Sequence, residues 1–169
     1  SSIPNGNNDG TTTGWTKISG LSETGDYTIS AIQISRQPAH ILYFGSSSDA
    51  GQPKIHRVIN STTATTSQTY LLSGAEGGTY VHDIAINPDN ADQILVVISN
   101  YNTESLFYST NGGQNFTSVQ GNLSGEQRTQ GSYTYWTGPS IRSATILPTD
   151  DGLVYLLGSS TGVYSTRII

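Results

Sequence analysis

The chain has 169 residues, of which 34% are hydrophobic and 11% charged, with seven basic and 12 acidic residues and a formal net charge of −5. That is enough material for one sizeable core or a few modules sharing one, and the shortage of positive charge argues against nucleic acid or another polyanion as principal partner. The lack of cysteine excludes a disulfide scaffold and thiolate metal sites, and the longest apolar runs, Ile94–Ile98 and Leu153–Leu157, are far too short for a membrane-spanning helix.

Residues 1–13 are polar and glycine-rich and are expected to be a linker or loop. Methionine is absent throughout, position 1 included, which suggests a processed or internal piece. A short strand is expected at 15–19, from Trp15-Thr16-Lys17-Ile18. Next comes a first module over 27–72: Tyr27–Ser35, a turn at Arg36-Gln37-Pro38, then Ile41–Gly45, Lys54–Ile59 and Thr69–Leu72. The second module, 80–120, repeats the order with Tyr80–Ile86, a turn at Asn87-Pro88-Asp89-Asn90, Ile94–Ser99, Ser105–Ser109 and Phe116–Val119. The third, 140–168, has Ile141–Leu147, a turn at Pro148–Gly152, Leu153–Gly158 and Gly162–Thr166, with no fourth strand. Abundant Gly, Ser, Thr and Asn with few charges favour turns and strands over long surface helices.

An alternating run, a turn and a more apolar run, met three times, is the mark of a repeat. The fold class this predicts is all-β, a partial β-propeller of about three four-stranded antiparallel blades completed by further chain or by oligomerisation. The strand at 15–19 then acts as a fourth, outer strand. Open sheet edges favour pairing with other chains, so a protein partner or homo-oligomer joined through those edges is expected.

Ser109-Thr110-Asn111-Gly112-Gly113-Gln114-Asn115-Phe116 is the most specific local motif. It resembles the Asp-box, Ser/Thr-x-Asp-x-Gly-x-x-Trp/Phe, of bacterial neuraminidase-type repeats, with Asn111 in place of Asp. Its chemistry is structural: Asn111 can accept a backbone hydrogen bond of the turn that Ser109 opens, Gly113 permits tight geometry, and Phe116 enters the core. Asp9-Gly10-Thr11-Thr12-Thr13-Gly14-Trp15 is a looser relative with one inserted position. With these motifs the chain from about residue 14 onward resembles Asp-box and sortilin-like β-propellers of the secreted bacterial type, which include sialidases and xyloglucanases. The resemblance implies a secreted or cell-surface bacterial setting. It speaks to fold more than to activity, because one architecture hosts unrelated functions.

Tyr133, Tyr135 and Trp136, in a long loop before Gly138-Pro139, are the leading recognition candidates, with Tyr101 between Asn100 and Asn102 a second. Aromatic rings supply contact area to a sugar or peptide at modest entropic cost. Alignment of the first strands superposes His82 and Arg142 on Ser30, and Asp83 on Ala31 and Ser143. Innermost strands line a propeller's channel, so His82, Asp83 and Arg142 are candidate ligand contacts.

The arginines are scattered, without the cluster that a sialidase needs for its substrate carboxylate. Glu23, Glu76, Glu104 and Glu126 fall in polar loops rather than as an evident acid–base pair. His40, His56 and His82 lack metal-ligand spacing, and no motif asks for a cofactor. Asn60, Asn115 and Asn122 head glycosylation sequons, a pattern common by chance in such a composition. The expectation is therefore a non-catalytic extracellular module for binding, display or assembly, with glycan or protein ligands. The alternatives are a fragment of a sialidase-like or xyloglucanase-like glycoside hydrolase, or a structural subunit of a ring or fibre.

Overall fold

The structure, a computed structural model, describes Ile18 and residues 20–169. The expected linker, the Asp9–Trp15 turn and all of the 15–19 strand except Ile18 lie outside the described residues. Described residues form three antiparallel sheets in which the strands follow chain order, plus a separate two-stranded hairpin. The first sheet is β1 (Thr28–Ile34), β2 (Ile41–Ser47), β3 (Lys54–Ile59) and β4 (Gln68–Leu71). The second is β5 (Val81–Asn87), β6 (Asn90–Ile98), β7 (Leu106–Ser109) and β8 (Thr117–Ser118). After the hairpin strands β9 (Gln127–Gln130) and β10 (Tyr133–Trp136), the third sheet is β11 (Ile141–Thr149), β12 (Gly152–Ser159) and β13 (Gly162–Thr166). No helix among the described residues is long and apolar enough to cross a membrane.

The first strands of successive sheets lie side by side, β1 against β5 and β5 against β11, while the remaining strands lead away from them. Each sheet therefore stacks one face on the next. This is the radial blade arrangement of a β-propeller, and the described chain is an all-β sector of one.

Strand alternation divides the core in two. Ile84, Ile94, Val96 and Phe107 of blade two pack against Tyr43 and Ile55 of blade one. The opposite face of blade two, with Ala85, Leu95, Val97 and Leu106, packs on Ile141, Ile146, Tyr155 and Leu157 of blade three. Polar bonds fasten the same joints: the Tyr43 hydroxyl donates to the Ala91 carbonyl at 2.9 Å, and Arg57 pairs with Asp92. The closest approach is at Gly45, where a Cβ would stand 2.5 Å from Cγ1 of Val81. Only glycine lets the two sheets meet there.

Each first strand carries a bulge at the same place. Pairing skips Ser30 between Ile29 and Ala31, His82 between Val81 and Asp83, and Arg142 between Ile141 and Ser143. All three bulged residues are exposed.

The β7–β8 turn is closed by side chains. Ser109 Oγ accepts from the Gly113 N–H at 2.9 Å, and Asn111 Oδ1 accepts from the Asn115 N–H at 3.0 Å. Gly112 and Gly113 adopt φ of 72° and 91°, in the left-handed region that glycine tolerates. Phe116 packs against the core between blades one and two.

The segment expected as a plain loop before Gly138 is instead the β9–β10 hairpin, with Tyr133 opposite Gln130 and Trp136 opposite Gln127. Gly131, at φ 65°, opens its two-residue turn. Both faces of the hairpin are largely exposed, so it lacks the apolar alternation by which the other strands are read.

Candidate ligand-binding site

The Asn100–Ser105 connection between β6 and β7 meets the β9–β10 hairpin on one rim of the blades. Asn100 is fixed first, its Oδ1 accepting from the Tyr80 N–H at 2.9 Å. Asn102 stands at φ 60°, a left-handed conformation that asparagine tolerates better than most residues. In that pose its amide donates to the Tyr133 hydroxyl, and its Oδ1 accepts from the Trp136 N–H at 3.2 Å. One side chain thus ties the two segments together. Tyr133 and Tyr135 stack with centroids 6.1 Å apart.

Beneath Trp136 is a cleft of about 240 Å³ lined also by Glu76, Asn102, Thr103, Glu104, Gln120 and Ser124. A smaller hollow of about 20 Å³ beside it includes Tyr101, Pro139 and Ser140. Gln120 is held by accepting from the Ser105 N–H at 2.5 Å, and Glu104 accepts from the Ser118 hydroxyl. The result is a half-open groove with an exposed indole and phenol above amide and carboxylate groups. Those groups are chemically suited to a ligand with apolar faces and hydroxyl edges.

The expected aromatic residues Tyr101, Tyr133 and Trp136 come together around Asn102, and Tyr135 supports Tyr133 from the same hairpin. His82, Asp83 and Arg142 are on the inner strands and line neither hollow. Asp83 is engaged by backbone: its Oδ2 accepts from Ala144 N–H and its Oδ1 from Ile84 N–H, both at 2.9 Å. Gln120 and Thr103 are lining residues that a search for aromatic clusters passes over. The polar run Asn100–Glu104 is the signal that pointed nearest to them.

A second polar cluster sits on blade one. Glu23 accepts from Ser46 Oγ at 2.6 Å and from Lys54 Nζ at 3.3 Å, and it contacts His56 Nε2. The imidazole stacks on Phe44 at 4.3 Å and meets Thr69 Oγ1 at 3.0 Å through Nδ1. Burial pushes the His56 pKa below its ordinary 6.5, outweighing the adjacent carboxylate. Burial opposes ionisation of Glu23 as well, yet the Ser46 hydrogen bond and the neighbouring cationic groups hold its pKa below 4.5.

Both shifts have the same consequence for stability. The contribution of a group with a lowered folded pKa is complete above its unfolded pKa and is lost as pH falls through the folded value. Urea midpoints should therefore decline on acidification, from about pH 6.5 through His56 and below about 4.5 through Glu23. A His56→Gln variant should flatten the upper part of that decline. Identical slopes in the two proteins would show that folding does not disfavour the charged imidazole.

No family model matches the chain, and no curated protein matches its sequence. Among solved structures it is similar to a GH74 enzyme of Niastella koreensis, at 12% identity and a TM-score of 0.37. The match covers 82% of this chain and 28% of the other, so the chain spans less than a third of that enzyme's length.

Proposed function

We propose that this propeller sector is an extracellular glycan-binding module of the secreted, Asp-box type, and that the cleft beneath Trp136 takes a neutral oligosaccharide. The observation that carries the reading is Asn102 in its left-handed pose, bracing Tyr133 and Trp136 above a polar groove. A side chain that fixes an exposed aromatic surface in advance lowers the ordering cost of binding a ligand there. A sugar ring offers an apolar face to the indole and hydroxyls to Asn102, Thr103 and Gln120. Glu76 and Glu104 in the lining, with the net charge of −5, disfavour acidic sugars. The Ser109–Phe116 turn supports the Asp-box assignment through its side-chain bonds.

The test is calorimetric titration of the chain with neutral hexasaccharides built of glucose, mannose or xylose. At least one should bind, and Trp136→Ala should weaken it about tenfold or more, as loss of a central tryptophan does. An absence of heat at millimolar sugar across the panel would refute the reading. The shared cleft of Glu76 and Glu104 favours a second reading, a glycoside hydrolase fragment. New reducing ends that appear with the chain and vanish in Glu104→Gln would establish that reading instead.

A further inference from the structure

The β9–β10 hairpin is joined to the blades by little besides its neck and one side chain. None of its strand residues is buried, and neither apolar core takes a side chain from it. Its own ladder and the contact between the Thr129 and Thr134 hydroxyls hold its two strands to each other. Among the described residues, the hydrogen bonds that leave residues 127–136 for the blades are the two to Asn102.

The neck is a crossing of two glycines. Gly125, at φ 71°, approaches Gly138 so closely that a Cβ on Gly125 would stand 2.5 Å from the Gly138 nitrogen. The Thr137 N–H donates to the Glu126 carbonyl and the Gly138 N–H to that of Ser124, both at 3.0 Å. The chain is anchored on either side of this crossing. Leu123 packs on the core between blades two and three, and buried Ser140 donates its hydroxyl to the Ser99 carbonyl at 3.1 Å. A crossing that has no side chains to interlock, set between two fixed points, is a natural pivot. Trp136, at the neck end of β10, lines both hollows of the candidate site. Rotation about the neck therefore carries its indole onto the cleft or away from it.

We propose that the hairpin is a hinged lid on the Trp136 cleft, turning at Gly125 and Gly138 and latched by Asn102. The structure holds the latched state. Asn102 suits a latch because it belongs to the blades, on the β6–β7 connection, and its one amide engages both the Tyr133 hydroxyl and the Trp136 N–H. With both bonds made, the indole covers the cleft. With both broken, the hairpin keeps its own ladder and swings as a unit, and the cleft opens to solvent. A ligand held between the indole and the cleft floor favours the latched state, so binding and closure are linked. That linkage rests on the glycan reading of the cleft, whereas the motion of the hairpin does not.

The test uses the full chain, whose lack of cysteine lets spin labels be placed at chosen positions. One label goes on the exposed hairpin turn, at Ser132→Cys, and the other on the β7–β8 turn, at Gln114→Cys. Dipolar spectroscopy without sugar should give one main distance in the parent. Asn102→Gly deletes both latch bonds and keeps a residue at ease with φ 60°. It should raise the ratio of displaced to latched distances about tenfold or more, as loss of two hydrogen bonds does. Tyr133→Phe removes one bond and should give an intermediate ratio. A control pair within the blades, Gln114→Cys and Asp151→Cys, should keep its distance in every variant. An unchanged hairpin distance in Asn102→Gly overturns the latch. A shift in the control pair would show that Asn102 holds the blades rather than a lid, and overturns it too. A glucose, mannose or xylose hexasaccharide that binds in calorimetry should return the Asn102→Gly distances to the latched value, and binding that leaves them displaced overturns the linkage. The sugar-free distances do not depend on any ligand, so the lid and the glycan reading can fail separately.

Discussion

Truncation of Phe107 to Ala is expected to destabilise the chain by about 3–5 kcal/mol, measured as a shift in urea unfolding. Phe107 is fully buried on β7, in the cluster where blade two meets Tyr43 and Ile55 of blade one. Its ring also lies 3.2 Å from where a Cβ on Gly74 would be, in the connection between those blades. Strand pairing leaves little room for the surroundings to collapse, because Phe107 sits between Val96 and Ser118 in the ladder. The core belongs to the joint rather than to either sheet, so the damage should not stay in blade two. Hydrogen exchange should show amides of β2 and β3 losing protection together with those of β6 and β7. Loss confined to β7 would mean that the blades unfold independently.

Replacing Asp83 with Ala should cost about 2–3 kcal/mol, because two hydrogen bonds to a charged group disappear and the Ala144 N–H loses its partner between blades. Asp83→Asn, which keeps one carbonyl oxygen, should fall between the variant and the parent. The pair of substitutions separates two roles for this carboxylate. As a fastener between β5 and β11 it should change the unfolding midpoint and leave oligosaccharide titrations at the Trp136 cleft unmoved. A change in sugar binding with unaltered stability would reverse that assignment.

The strands were legible because most are runs of Ile, Val, Leu and Tyr bounded by turn residues, such as Asn87–Asn90 and Pro148–Gly152. Repetition of that pattern three times made the blades readable even where single strands were short. The β9–β10 hairpin escaped because it packs neither face into a core, leaving Gln127–Gln130 without an apolar phase. At the candidate site, the aromatic residues were visible as a cluster. Their convergence with Glu76 was not, since Glu76 precedes β5 and reaches the cleft only through the stacking of whole blades. Asp83 illustrates the same limit: its backbone partner at Ala144 is 61 residues away in the chain. A polar residue on an inner strand reads alike whether it faces a ligand or fastens a neighbour.

The bulges on β1, β5 and β11 release one residue per blade from the ladder's pairing rule. Those residues are a hydroxyl, an imidazole and a guanidinium, at positions that the backbone treats as equivalent. Ser30 still meets the buried Ser47 hydroxyl at 3.2 Å, whereas the pairing rule places no demand on the imidazole of His82 or the guanidinium of Arg142. At His82 and Arg142 the fold therefore holds sockets whose occupant is set by chemistry on the inner rim rather than by the scaffold around them.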